Sequence, residues 1–229
     1  MSARHVARLL GAATAGWAAL CATPIAVPSA SAAACPDVEV VFARATTEPP
    51  GVGSVGKAFV NSLRSQVGGK SVGVYAVNYP ASEDFASSAS IGANDARAHV
   101  QSTAATCPGT RMVLGGYSQG AMVVDLITAI PVSFAGFTPA PMPPDVADHV
   151  SAVAVFGNPL DRYVGTQLNS VSPDYGGKTI DLCAAGDPIC TPSGDMSTPT
   201  HDEMFSAAHL SYVTSGMASQ AASFAASHV

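Results

Sequence analysis

Apolar and polar positions recur along this chain with two different periods, and the switches between them mark out its elements. Val38 to Phe42 is apolar around one glutamate and predicts a short buried strand. A loop rich in Thr, Pro and Gly follows, and then a helical spacing from Ser54 to Val67. The alternation continues: Val72 to Tyr79 predicts a strand, Ile91 to Ala105 a helix, Met112 to Gly116 a strand, Ala121 to Ile130 a helix, Val150 to Phe156 a strand, and Lys178 to Cys183 the last strand. Strands separated by helices require right-handed crossovers, and strands apolar on both faces require cover on both sides. The expected fold class is therefore α/β, a three-layer α/β/α sandwich on a mostly parallel sheet. A Pro-rich stretch from Phe137 to Asp145 and an aperiodic one from Cys190 to His209 read as surface loops, with a final helix expected to start at His209.

The N-terminus follows a different pattern. Arg4 and Arg8 precede an apolar run from Leu9 to Ala22, and Ala30-Ser31-Ala32 offers a small-residue cleavage site, which together read as an export signal over residues 1–32. The run is shorter than the roughly 20 residues of a spanning helix, and Pro24 and Pro28 close it, so stable membrane insertion is not expected. Residues 33–229 are then a single domain, hardly more than a bare sheet and its helices, and an open active site without a lid is expected. Export fits either release or retention at the cell envelope.

Cleavage would remove Cys21 and leave Cys35, Cys107, Cys183 and Cys190, an even number suited to two disulfides in an oxidising compartment. Cys183 and Cys190 flank a Gly186-Asp187-Pro188 turn, which favours their pairing with each other and leaves Cys35 for Cys107. The sequence has no Cys-x-x-Cys or His-x-x-x-His spacing, so no metal is expected. A formal net charge of -6 argues against a nucleic acid partner.

The chemistry centres on Gly116-Tyr117-Ser118-Gln119-Gly120, between an apolar strand and an apolar helix. A strand, sharp turn and helix with small residues on both sides of a serine read as a nucleophile elbow, which lifts the Ser118 hydroxyl to the positive end of a helix. In such folds the acid and then the histidine follow the serine, which leaves His149, His201, His209 and His228. His149 opens a strand and His228 neighbours the terminus, so the contest is between His201 and His209, and spacing favours His209. Asp187, inside the expected cysteine loop, leads the acids over Asp161, Asp181, Asp195 and Asp202, with Asp161 and Asp195 read as solvated turn residues and Asp181 as part of a strand. Two backbone N–H donors for an oxyanion are expected from Gln119 and from the Phe42 to Glu48 segment.

The chain resembles cutinases, and in particular the cutinase-like proteins of mycobacteria and related actinobacteria. The resemblance rests on Phe42-Ala43-Arg44 with Thr46 and Glu48, on the Ser118 pentapeptide, on Cys183 to Cys190 enclosing Gly186-Asp187, and on His209-Leu210-Ser211-Tyr212. It implies Ser118, Asp187 and His209 as triad, Thr46 and Gln119 as oxyanion hole, disulfides Cys35 to Cys107 and Cys183 to Cys190, a lidless α/β-hydrolase fold with a five-stranded parallel sheet, no cofactor, and hydrolysis of short- and medium-chain esters, lipids or polyesters. Ala45 stands where many family members have Gly, so the backbone carrying the Thr46 donor is expected to be less free. Phe85, Met204, Phe205 and Leu210 are candidates to line an acyl groove, and a monomer is the default. Rival readings are an acetylxylan-type carbohydrate deacetylase, a lipase or phospholipase, and a secreted binding or antigenic protein that has lost catalysis.

Overall fold

The computed structural model describes residues 34–229, and the export-signal reading of residues 1–32 lies outside the described residues. β1 (Val38–Ala43) is one of the three inner strands of a five-stranded parallel sheet. The order is β2-β1-β3-β4-β5, with β2 at Val72–Ala76, β3 at Arg111–Tyr117, β4 at Val150–Phe156 and β5 at Thr179–Leu182. β3 and β4 are apolar and buried nearly end to end because helices cover both faces.

On one face, α2 (Phe85–Thr106) and α3 (Gln119–Thr128) close over the sheet through Ala89, Ala93, Met122, Val123 and Ile127. On the other, α1 (Gly53–Gln66) and α8 (Met217–Ala226) pack together, and Phe59, Leu63, Ala221 and Ala225 meet the sheet there. Phe42, Phe59 and Phe156 form an aromatic centre on that side, with ring centroids 6.1 to 6.4 Å apart. Four shorter helices sit in the connections: α4 (Pro144–Ala147), α5 (Pro159–Val164), α6 (Leu168–Val171) and α7 (His201–Met204). No helix among the described residues is long and apolar enough to cross a membrane.

The expected elements all form, with shifted ends. α2 starts six residues before Ile91, because Ala86 to Ser90, after Phe85, is a run of small residues that carries no apolar period yet buries Ser88 and Ala89. β2 stops at Ala76, and the chain from Val77 onward turns away to form a loop. The final helix does not start at His209: residues 206–215 are turns, and α8 begins at Met217 after Gly216 takes a left-handed φ of 83°.

Candidate active site

The loops that follow the C-terminal ends of β1, β3, β4 and β5 meet at one edge of the sheet, where parallel α/β folds place ligands. After Tyr117 the chain reverses direction within one residue. Ser118 adopts φ 56° and ψ -120°, a conformation that non-glycine residues take at a cost of about 1–3 kcal/mol, and α3 starts at the next residue. The flanking glycines make this turn possible. A Cβ on Gly116 would lie 2.1 Å from the Gly120 carbonyl oxygen, and one on Gly120 would lie 2.0 Å from that of Ala43.

The turn presents Ser118 Oγ 3.0 Å from His209 Nε2, and His209 Nδ1 lies 2.8 Å from Asp187 Oδ2. All three residues are buried. Asp187 is placed as an acceptor by the donors around it, so Nδ1 carries the proton and Nε2 is left to accept from the serine. No basic side chain pairs with Asp187 apart from His209 among the described residues; Ile189 N–H donates to its Oδ1 at 2.9 Å, and the Tyr212 hydroxyl donates to Oδ2 at 2.6 Å. Tyr117 packs at a tilt against His209 with ring centroids 5.0 Å apart, and its hydroxyl donates to the His209 carbonyl. Burial, and then the Asp187 charge, push both phenols far above their ordinary range.

The other residues weighed from the sequence lie elsewhere. His201 is exposed on α7 beside Asp202. Asp195 is half-exposed and joins Glu203 in holding the buried Arg162, at 2.6 and 3.0 Å, which fastens the loop after Cys190 to α5. Asp161 is no solvated turn residue. It is completely buried beside Asp181 and within the field of Asp125, because the N-terminal turn of α5 packs inward against α3.

The loop after β1 is shaped by charged side chains whose role the sequence did not disclose. Glu48 accepts from Ala45 N–H, Ser54 N–H and the Ser54 hydroxyl at 2.7 to 2.9 Å. Arg44 donates to the carbonyls of Glu48 and Tyr79, at 2.7 and 2.8 Å. The non-glycine residue of this loop with positive φ is Thr47, at 63°, so Ala45 carries no strain. The Thr46 N–H has no acceptor among the described residues, and its buried hydroxyl is likewise unpartnered. Gln119 N–H opens α3 and has no intrahelical acceptor. The Gln119 side chain is tied to Ser82 and Ser88, locking the start of α3 to the loop before α2.

Two cavities meet at Ser118. An open groove of about 280 Å³ is lined by Thr46, Ser118, His209, Met204, Phe205 and Leu210, among others. A narrower slot of about 20 Å³ runs past Phe85, Met122, Tyr163, Ile189 and Met204. Phe85, Met204, Phe205 and Leu210 thus all border Ser118, with Phe205 and Leu210 half-exposed on the rim. Cys35 is joined to Cys107 and Cys183 to Cys190. No cluster of three or more His, Cys, Asp or Glu side chains among the described residues is arranged to hold a metal ion.

This fold and site define an ester hydrolase of the α/β-hydrolase type. The Cutinase family model matches residues 34–229, and the chain belongs to that family. It is 50% identical to carboxylesterase Culp1 of Mycobacterium tuberculosis, over 100% of this chain and 98% of that protein. It is 51% identical to phospholipase Culp4 of the same organism, over 100% of this chain and 93% of that protein. Among solved structures, a Trichoderma reesei cutinase bound to a phosphonate inhibitor is 33% identical with a TM-score of 0.61, covering 83% of this chain and 75% of the cutinase. An acetyl xylan esterase is 27% identical with a TM-score of 0.69, covering 85% of this chain and 99% of the esterase.

Proposed function

We propose that this protein is a secreted serine esterase that cleaves short- to medium-chain carboxylic esters, lipid or polyester included, through an acyl-enzyme on Ser118. The observation that carries the reading is the hydrogen-bonded series from Ser118 Oγ through His209 to Asp187, opening onto an apolar groove. His209 takes the serine proton as Ser118 Oγ attacks the ester carbonyl, and passes it to the leaving alcohol. Water then enters, gives its proton to His209 and releases the acid. Asp187 keeps the imidazole in the required tautomer and stabilises the imidazolium. The unpartnered N–H groups of Thr46 and Gln119 receive the oxyanion, at the N-terminal end of α3 where the helix dipole favours negative charge.

The export-like N-terminus supports cleavage after residue 32 and action by residues 33–229 as one domain. The net charge of -6 supports an ester substrate over a polyanion, and nothing in the reading needs a cofactor or a second copy. The acetyl xylan esterase likeness favours carbohydrate deacetylation as a second reading, whereas the apolar lining of groove and slot favours a longer acyl chain.

The test is hydrolysis of p-nitrophenyl esters from acetyl to palmitoyl by wild type and Ser118→Ala, alongside a serine-directed phosphonate label. An optimum at intermediate length, a dead variant and a label on Ser118 are expected. An optimum at acetyl that falls steadily with length would move the assignment to deacetylation. A folded wild type with neither hydrolysis nor label would make this a binding protein.

A further inference from the structure

Tyr212 stands three residues after His209 and is completely buried, its ring centroid 5.4 Å from that of Tyr117 and 6.1 Å from that of Phe156. Its hydroxyl has two close polar partners whose chemistry assigns every proton. Ala184 N–H, 3.0 Å away, can only donate, so the phenol oxygen accepts there. Asp187 Oδ2, 2.6 Å away, can only accept, so the phenol proton lies on that contact. The remaining neighbour, Cys190 Sγ at 3.4 Å, belongs to a disulfide and has no proton to give. The carboxylate oxygen that receives the phenol proton is the one that receives His209 Nδ1–H at 2.8 Å. Two donors therefore share Oδ2, and charge drawn by one is lost to the other.

We propose that Tyr212 is a positioning residue of the esterase site, a fourth member that fixes Asp187 and sets how strongly that carboxylate holds the imidazolium. The inference rests on the Ser118–His209–Asp187 reading above. Three short donors, from Ile189 N–H, His209 and Tyr212, replace the water that a fully buried carboxylate has lost. The Ala184 contact pins the phenol to the chain just beyond β5, so the loop closed by Cys183 and Cys190 cannot carry Asp187 away from the imidazole without breaking it. The titratable groups facing the imidazole are Asp187, Tyr117 and Tyr212, with Glu48 and Glu83 lining the same open groove, and burial keeps both phenols protonated, so Tyr212 donates throughout the working pH range.

The sign of the effect follows from the shared oxygen. Removing the phenol proton leaves Asp187 more basic, favours the imidazolium and delays release of the free base to higher pH. Strengthening the donor does the reverse. The experiment is the pH profile of kcat/KM on p-nitrophenyl butyrate for wild type, Tyr212→Phe, Tyr212→3-fluorotyrosine and Ser118→Ala. Tyr212→Phe is expected to lose about tenfold in kcat/KM and to move the acid limb up by about half a pH unit. The fluorinated phenol, isosteric but more acidic, keeps both contacts and is expected to move the limb down; it decides alone if the Phe variant does not fold. Acid limbs unchanged in every folded tyrosine variant, or moved in the same direction by both, overturn the proposal even where activity falls. Activity retained by Ser118→Ala overturns the serine reading instead, and this inference with it.

Discussion

At the scale of single residues, the demands of the site extend to a position with no side chain. Gly157 follows β4 with φ 54°, and a Cβ there would stand 2.9 Å from His209 Cε1 and 3.2 Å from Asp187 Oδ2. The imidazole and carboxylate can hold their contact only because this position is empty. Gly157→Ala is expected to lower kcat/KM by about 10²-fold, the scale of a misplacement near 1 Å, while far-UV circular dichroism stays native. Activity within threefold of wild type would show that the imidazole tolerates displacement. Residues of this kind mark where sequence reasoning ran out. Ser118 was legible because the strand before it and the helix after it define a turn. His209 and His201 lie in one aperiodic stretch, and spacing could only favour His209; burial separates them, at 2% exposure for His209 against an exposed His201 side chain. Tyr212 was legible only as the last residue of the His209-Leu210-Ser211-Tyr212 motif; the role of its hydroxyl was not, because its partner lies 25 residues earlier and only the fold joins them.

At the scale of elements, α3, α5 and β5 meet around three carboxylates, Asp125, Asp161 and Asp181, where Leu168 N–H donates to Asp181 at 2.9 Å and the Asn158 amide lies 3.3 and 3.4 Å from Asp125 and Asp181. The strands and the long helices were readable from periodicity, but this cluster was not: an Asp beside a helix start looks the same from sequence whether it faces water or the core. Asp125 Oδ2, both Asp161 oxygens and Asp181 Oδ1 lack hydrogen-bond partners among the described residues. Burial, followed for Asp125 and Asp161 by repulsion from neighbouring carboxylates, raises all three above the ordinary range. Raised folded-state values mean that stability is fully present below the unfolded carboxylate range and is lost as pH rises through the folded one. In that window the loss is about 1.4 kcal/mol per pH unit for each proton held only in the folded state. Asp161→Asn removes one titration from the cluster, so its stability advantage over wild type is expected to widen between about pH 5 and 8. Urea denaturation at intervals across that range measures it, and a difference that stays flat with pH would mean that Asp161 is ionised in the fold.

At the scale of the whole molecule, the two disulfides close loops of very different length and stand at different distances from the chemistry. Cys35 and Cys107 are 72 residues apart and tie the approach to β1 to the end of α2, whereas Cys183 and Cys190 are 7 apart and enclose Asp187. Loop-closure entropy alone gives about 4 kcal/mol for the first and about 2 kcal/mol for the second. The ordering for activity should be the reverse. The first bridge touches no element of the site, since the strand ends that carry Ser118 and the Thr46 loop lie at the opposite end of the sheet. The second is wrapped around the carboxylate that orients His209, and Cys190 Sγ lies 3.4 Å from the Tyr212 hydroxyl. Cys35→Ser/Cys107→Ser is therefore expected to show the larger fall in Tm with kcat/KM nearly unchanged at 25 °C. Cys183→Ser/Cys190→Ser should show the smaller fall in Tm and the larger loss of kcat/KM. Thermal melts and p-nitrophenyl ester kinetics on both double variants check this, and if the two quantities fell in the same order, the small loop would be holding the fold together and not aiming the acid at the histidine.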